Sequence, residues 1–356
     1  MKTSKNNPRL KELAPRQRNP GGIGLLRSRP AVNGIPTGIG LLRSRPAVNG
    51  IPTGIGLVKD LEGEGKIDSE SFLLNGFQAT ELARAIEEIK EMKKQKAFVF
   101  LGFTANLMAT GLRGLIKELC KKKFVDAIVT TSGSIDHDAI RAFDDYEIAS
   151  FNEDDEALHR KGINRIGNIL VKTKSFEKLE AKMKPFLEKC YAEKKIWGPS
   201  ELMKKLGQEL DESSFLYWCA KNGIPVYCPG ITDGAAFGLQ LYFFKQKRKD
   251  FAIDVTADLK PMADAALNAE KTGAIILGGG ITKHHIIGVN ILRNGLDYAV
   301  YVSTAQEFDG SLSGARPKEA KSWGKLKEKG KSVHVNCDAT IAFPIIFYSL
   351  KDNGLL

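Results

Sequence analysis

Apolar residues recur at helical spacing through TELARAIEEIKEMKKQ (80–95), and the lysines at its end suit a helix C-terminus. AFVFLGF (97–103) follows as an unbroken apolar run of strand length. The pairing then repeats. NLMATGLRGLIKELCKKK (106–123) reads as a second amphipathic helix and VDAIVTT (125–131) as a second buried strand. Further apolar runs, IPVYCPG, FAIDVT, GAIILGGG, DYAVYVST and SVHVNCDAT, alternate with helical stretches. Short strands that are apolar throughout are buried on both faces, and strands separated by helices pair in parallel. The pattern predicts an α/β fold with a parallel sheet covered by helices on both sides.

This patterning begins near Leu57 and has no linker before residue 350, so 57–356 is expected to be a single domain. Residues 1–56 differ in kind. GIGLLRSRPAVNGIPT occupies 22–37 and recurs unchanged at 38–53. Two identical copies fall short of the three that a solenoid needs, and the Pro and Gly content opposes helix. A tandem duplication or a sequence-assembly fault would give such a repeat. The expectation is a basic, flexible extension.

Charge is confined in the same way. The chain carries a net +11, but residues 1–58 hold ten Lys or Arg against one acid, Glu12. The folded part is nearly neutral, so the basic balance describes the tail. A basic arm can touch nucleic acid, but a flexible extension accounts for it equally, and no nucleic-acid partner is expected. No run reaches the roughly 18 apolar residues of a membrane span, and the N-terminus lacks the apolar stretch of a signal peptide. The five cysteines form no C-x-x-C pair, which disfavours a disulfide framework or zinc site and suits a reducing cytoplasm.

In parallel sheets ligands bind beyond the carboxyl ends of the strands. Five runs here leave their strands through small, hydroxyl or glycine residues: FLGFTAN, IVTTSGSIDHD, AIILGGG, VYVSTAQEFDG and HVNCDAT. Such residues let backbone approach a ligand and offer N–H donors to phosphate. Each is also an ordinary turn. Together they point to a nucleotide without naming one, since GGG is not G-x-G-x-x-G. Asp233 and Asp338 are candidates for ribose hydroxyls, or else helix N-caps.

Three polar clusters remain. KHH (283–285) places two histidines on diverging side chains, which disfavours bidentate metal binding but leaves one as a proton carrier. DHD (136–138) suits a cation or a loop cap. In EAKSWGK (319–325), Glu319 and Trp323 supply an anion and an aromatic face suited to an amine. Lys325 is then either a solvated cation or a nucleophile, and a lysine attacks carbon only when neutral. No metal site is expected.

GINRIGN (162–168), ITDG (231–234), LGGGITKHH (277–285), RNGLDYAVYVSTAQEFDGSLSGARPKEAKSWGK (293–325) and CDAT (337–340) resemble the deoxyhypusine synthase family, in order, from about residue 70 to 350. The resemblance looks archaeal-type. It implies a Rossmann-like, doubly wound sheet in a homotetramer with active sites at dimer interfaces. It also implies NAD-dependent transfer of the 4-aminobutyl group of spermidine to one lysine of the translation initiation factor 5A precursor, through an imine on an enzyme lysine. Matched motif by motif, Lys325 is the nucleophile and His284 the proton relay. The polyamine would lie among Glu319, Trp323, Gly310, Ser311, Asp136 and His137. NAD would touch Asn106, Thr131, Ser132, Gly133, Asp233, Gly279, Thr304, Ala305, Asp338 and Ala339.

The chain departs from the eukaryotic members at its acids. Asp136 and His137 stand where they have two glutamates, Leu312 where an aspartate follows DGS, and TDGAAFGLQ has no acid after TDG. Asp136 or Asp138 is the expected substitute. A polyamine desolvated without anionic partners loses roughly 1.5–3 kcal/mol per charged hydrogen bond. An alternative therefore keeps Lys325 and NAD but changes donor or acceptor, as in homospermidine synthesis or use of an agmatine-derived amine. A silent NAD- or RNA-binding protein is the third possibility, opposed by the intact Lys325, His284, Glu319 and Trp323.

Overall fold

The computed structural model describes residues 72–356. The tandem repeat and the expected boundary at 56/57 lie outside the described residues. Six strands form the central sheet: β1 (Phe98–Phe103), β2 (Ala127–Val129), β3 (Val226–Tyr227), β4 (Thr272–Leu277), β5 (Leu296–Val302) and β6 (Leu326–Val335). Every pairing is parallel, and the spatial order is β6-β5-β4-β1-β2-β3. The chain winds outward from β1 to one edge, returns beside it at β4, and winds outward again. That is the doubly wound Rossmann-like arrangement, with its reversal between β1 and β4. The register aligns Phe103 with Leu277, Leu277 with Val302 and Val302 with Val335. Four strands therefore end level, and their following loops share one edge.

Residues alternate between the two faces of the sheet. Val99, Leu101, Phe103, Ile275, Leu277, Val300 and Val302 join one core cluster; Phe100, Ala274, Ile276, Ala299 and Tyr301 join the other. The first face is covered by helices including Phe77–Lys94, whose Leu82, Ala85, Ile86, Ile89 and Met92 form the stripe expected of an amphipathic helix. The second is covered by Leu259–Asn268, Gly280–Val289 and Pro317–Ser322. Helix Gly280–Val289 lies close against β1. A Cβ added at Gly102 would come within 2.7 Å of Ile286 Cδ1, so the helix carrying KHH depends on that glycine.

Two elements differ from the sequence reading, and a third received no element there. The helix expected over 106–123 is two, Ala105–Ala109 and Leu112–Lys121. Thr110 is extended, and its hydroxyl donates to Leu107 O and accepts from Leu112 N, closing one helix and opening the next. FAIDVT contributes Ala252–Ile253, which pairs only with Ile196–Trp197 outside the central sheet. GINRIGN supplies the first strand and the turn of an antiparallel hairpin, Ile163–Ile166 with Ile169–Lys172, in a three-stranded ribbon completed by Glu147–Ile148. Alternation over four residues is too short to separate such a hairpin from a loop.

Candidate active site

The level strand ends collect the positions matched above to a dinucleotide. Asn106 follows β1; Thr131, Ser132 and Gly133 follow β2; Asp233 follows β3; Gly279 follows β4; Thr304 and Ala305 follow β5; Asp338 and Ala339 follow β6. Thr104 Oγ1 donates to Asn106 Oδ1 at 2.6 Å. Ser303 Oγ accepts the Ala305 N–H. Asp338 is the N-cap of helix Ala339–Asp352, accepting from Thr340 N at 2.7 Å through Oδ1. Ser132 Oγ is buried and has no partner among the described residues, a polar atom that calls for a ligand or water. The glycine turn opens the ten-residue helix Gly280–Val289, whose first amides suit an anion. That turn is partly covered by its own chain: Ser313 Oγ accepts the Gly280 N–H at 3.0 Å, and a Cβ on Gly279 would meet Ser313 Cα at 2.6 Å.

Lys325 comes from the other end of the sheet, at the residue before β6. Helix Pro317–Ser322 ends in a Schellman turn: Gly324 N donates to Lys321 O and Lys325 N to Ala320 O. Gly324 has φ +66°, the left-handed geometry that this cap requires, so the glycine of W-G-K is a backbone requirement. Leu296 N, at the start of β5, then donates to Lys325 O. The side chain so fixed reaches helix Gly280–Val289. Lys325 Nζ lies 3.3 Å from His284 Nε2 and 5.1 Å from the centroid of Trp323. Trp323 is 65% exposed, and Glu319 and His284 are also exposed. Gly310 and Ser311 sit on an exposed turn in which Ser311 N donates to Asp309 Oδ1.

The DHD acids and histidine are used internally. Asp136 is buried and accepts from Ala235 N and Ala236 N, both at 2.8 Å, at the start of a π-helical turn, Ala235–Leu239. Burial pushes its carboxyl up to about 6, against those two bonds and with help from the charge of Asp233. His137 Nδ1 is 2.8 Å from Tyr146 Oη, and burial followed by the Arg141 charge pushes it down to about 4. Asp138 is fully buried and receives Arg113 Nε, Ser214 Oγ, Phe215 N and Leu216 N. It cannot substitute for a missing pocket acid, because its oxygens are taken and water does not reach it. The helix Ser132–Ile140 packs in the first core cluster, whereas Lys325 and His284 belong to elements of the second. Within one chain the sheet stands between Asp136–His137 and Lys325.

One residue escaped the sequence reading. Lys283, which was passed over for the two histidines after it, is 2% exposed. Its Nζ donates to Leu312 O at 2.8 Å and Ala315 O at 2.5 Å, and lies 4.5 Å from the Tyr301 ring centroid. Burial pushes it down to about 8, against the charge of Glu319. Its position on the buried stripe of a helix beginning at Gly280 was the available signal.

The sequence profile of a family described as deoxyhypusine synthase matches residues 69–350. A probable deoxyhypusine synthase of Thermoplasma acidophilum is 48% identical over 275 residues, covering 77% of this chain and 88% of that one. The deoxyhypusine synthase of Senecio vernalis is 44% identical over 307 residues, covering 78% and 82%. A crystal structure from Entamoeba histolytica, described as a candidate deoxyhypusine synthase, matches with a TM-score of 0.60 at 28% identity, over 79% of this chain and 91% of that chain. Among the described residues no helix is long and apolar enough to cross a membrane.

Proposed function

The chain belongs to the deoxyhypusine synthase family, and from that premise we propose that it transfers the 4-aminobutyl group of spermidine to a lysine of the translation initiation factor 5A precursor, using NAD. The observation that carries the reading is the contact between Lys325 Nζ and His284 Nε2 at 3.3 Å beside Trp323. A lysine amine needs somewhere to leave its proton before it attacks, and His284 is within reach. The Trp323 face and the Glu319 carboxylate attract a polyamine cation while leaving its reacting carbon open to Nζ. NAD, held by the residues at the strand ends, would supply a reversible hydride acceptor for the carbon beside the secondary amine of spermidine. Lys325 then holds the four-carbon unit as an imine after 1,3-diaminopropane leaves, and yields it to the acceptor lysine.

The residues fit the cofactor at the reversal between β1 and β4. The unpartnered Ser132 hydroxyl and the small residues at the strand ends support that fit. A site shared between copies of the chain, in a homotetramer, is supported by exposed Trp323, Ile281 and Phe308. The internal engagement of Asp136 and Asp138 favours a second reading, in which another amine replaces spermidine.

The test is incubation with NAD and labelled spermidine, with and without the cognate precursor, followed by borohydride trapping and peptide mass analysis. A four-carbon adduct on Lys325 that moves to the precursor is expected. An adduct only from another amine would select the second reading, and none from any amine would refute both.

A further inference from the structure

Lys283 joins the two halves of the Lys325–His284 pair. His284 is its neighbour on helix Gly280–Val289. The carbonyls that Lys283 grips, Leu312 and Ala315, begin the segment that runs through helix Pro317–Ser322 to Lys325. A second fastening lies alongside, where Ser313 Oγ accepts the Gly280 N–H. The helix with the histidine and the segment with the nucleophile are therefore held at three hydrogen bonds, two of them from one ammonium.

The chemistry of that ammonium is informative. Its hydrogen-bond partners are neutral carbonyls, backed by the Tyr301 ring. The charges that act on it, Glu319 and Arg316, are of opposite sign. Burying an ammonium without a contacting carboxylate is costly, and a methionine of similar length would fill the space without that cost. What the ammonium adds is direction, because its donors fix the two carbonyls at set positions.

We infer that Lys283 is a positioning residue for the nucleophile: by gripping Leu312 and Ala315 it fixes the segment ending at Lys325 against the helix that bears His284, and so sets their contact. The inference rests on the reading of Lys325 as the nucleophile. Misplacing a reacting group by about 1 Å costs up to about a hundredfold in rate. Lys283→Met should therefore lower the rate of adduct formation on Lys325 by about ten- to a hundredfold and leave the KM for spermidine within about threefold. Its melting temperature should change little, because the two carbonyls left without a donor offset the relief of no longer burying a charge. Lys283→Arg, with a longer planar head that cannot meet both carbonyls from the same place, should recover only part of the rate.

Two measurements on the full chain decide the matter. The first is a double-mutant cycle with His284→Ala. If Lys283 acts by setting the Lys325–His284 contact, Lys283→Met should cost little once His284 is gone. Losses that multiply, or a defect confined to KM, would overturn the inference. The second is a crystal structure of Lys283→Met, read for the Lys325–His284 separation. It is expected to exceed 4 Å, and an unchanged contact would overturn the inference even if no amine yields an adduct. That last failure, in the wild-type chain, would count against the proposed function and leave the structural result to decide Lys283.

Discussion

Two glycines bracket the approach of Lys325, and alanine at each should have different consequences. Gly324 has φ +66°, and a Cβ there would have nothing within 4 Å. Gly295 has φ +102°, and its Cβ would lie 2.6 Å from both Leu326 C and Lys327 N. A left-handed conformation costs an L-residue about 1–2 kcal/mol, offset by about 0.4–1 kcal/mol from the stiffer unfolded chain. Gly324→Ala should thus lose about 1 kcal/mol. At Gly295 the clashing atoms are backbone and cannot rotate away, which adds about 1–3 kcal/mol, for a total of about 2–4 kcal/mol. Urea unfolding measures both, and borohydride trapping gives the adduct on Lys325. Gly324→Ala should remain folded yet lose about tenfold or more in trapping rate, because relaxation of the Schellman turn swings Lys325 away from His284. Gly324→Asn should be milder, since asparagine tolerates the left-handed region. Equal stability losses for the two alanine variants, or an asparagine variant as poor as alanine, would refute the argument.

Other predictions concern the buried polar groups. Arg113→Met should cost about 3–5 kcal/mol in urea unfolding because it strands the Asp138 carboxylate, and Arg113→Met with Asp138→Leu should restore part of it. Asp136→Asn turns an amide toward one of two N–H donors, costing about 1–3 kcal/mol. Since the turn it holds follows Asp233, direct binding of NAD should weaken while the KM for spermidine holds. His334 has two buried nitrogens without partners among the described residues, and burial, then Arg316 and Lys283, push it down to about 4. Its folded-state value is below the usual 6.5, so the unfolded chain binds its proton first and stability is lost as pH falls from about 6.5 to about 4. His334→Phe should flatten the stability–pH slope in that window by up to one proton, about 1.4 kcal/mol per pH unit.

The sheet was legible because its strands are apolar on both faces. AFVFLGF and GAIILGGG carry their own boundaries, and the small residues that end them proved to sit level on one edge. Thr110 and FAIDVT were misread because an apolar run does not say whether a hydroxyl will cap a helix or which strand a short run will pair with. The chemistry of EAKSWGK was visible only as residue types. That Gly324 is the left-handed cap and that His284 is within 3.3 Å are tertiary facts. DHD leaves a cation site and a cap both open in sequence, and the fold uses both acids to hold backbone amides. Lys283 was overlooked because a lysine is ordinarily solvated, and burial alone marks this one.

Three of the groups proposed to handle the amine, Glu319, Trp323 and Lys325, occupy one heptapeptide on a single short helix and its cap, whereas the positions matched to the cofactor are scattered over six strand ends. These two layouts accumulate change differently. A cradle dispersed over the sheet tolerates drift at one loop while five others persist, and it can be dismantled only gradually. A heptapeptide is exchanged as a block, so one local event can retune the choice of amine with the cradle intact. The same compactness is a hazard, since a single inserted residue between Ala320 and Lys325 would break the turn and disarm the chain at a stroke.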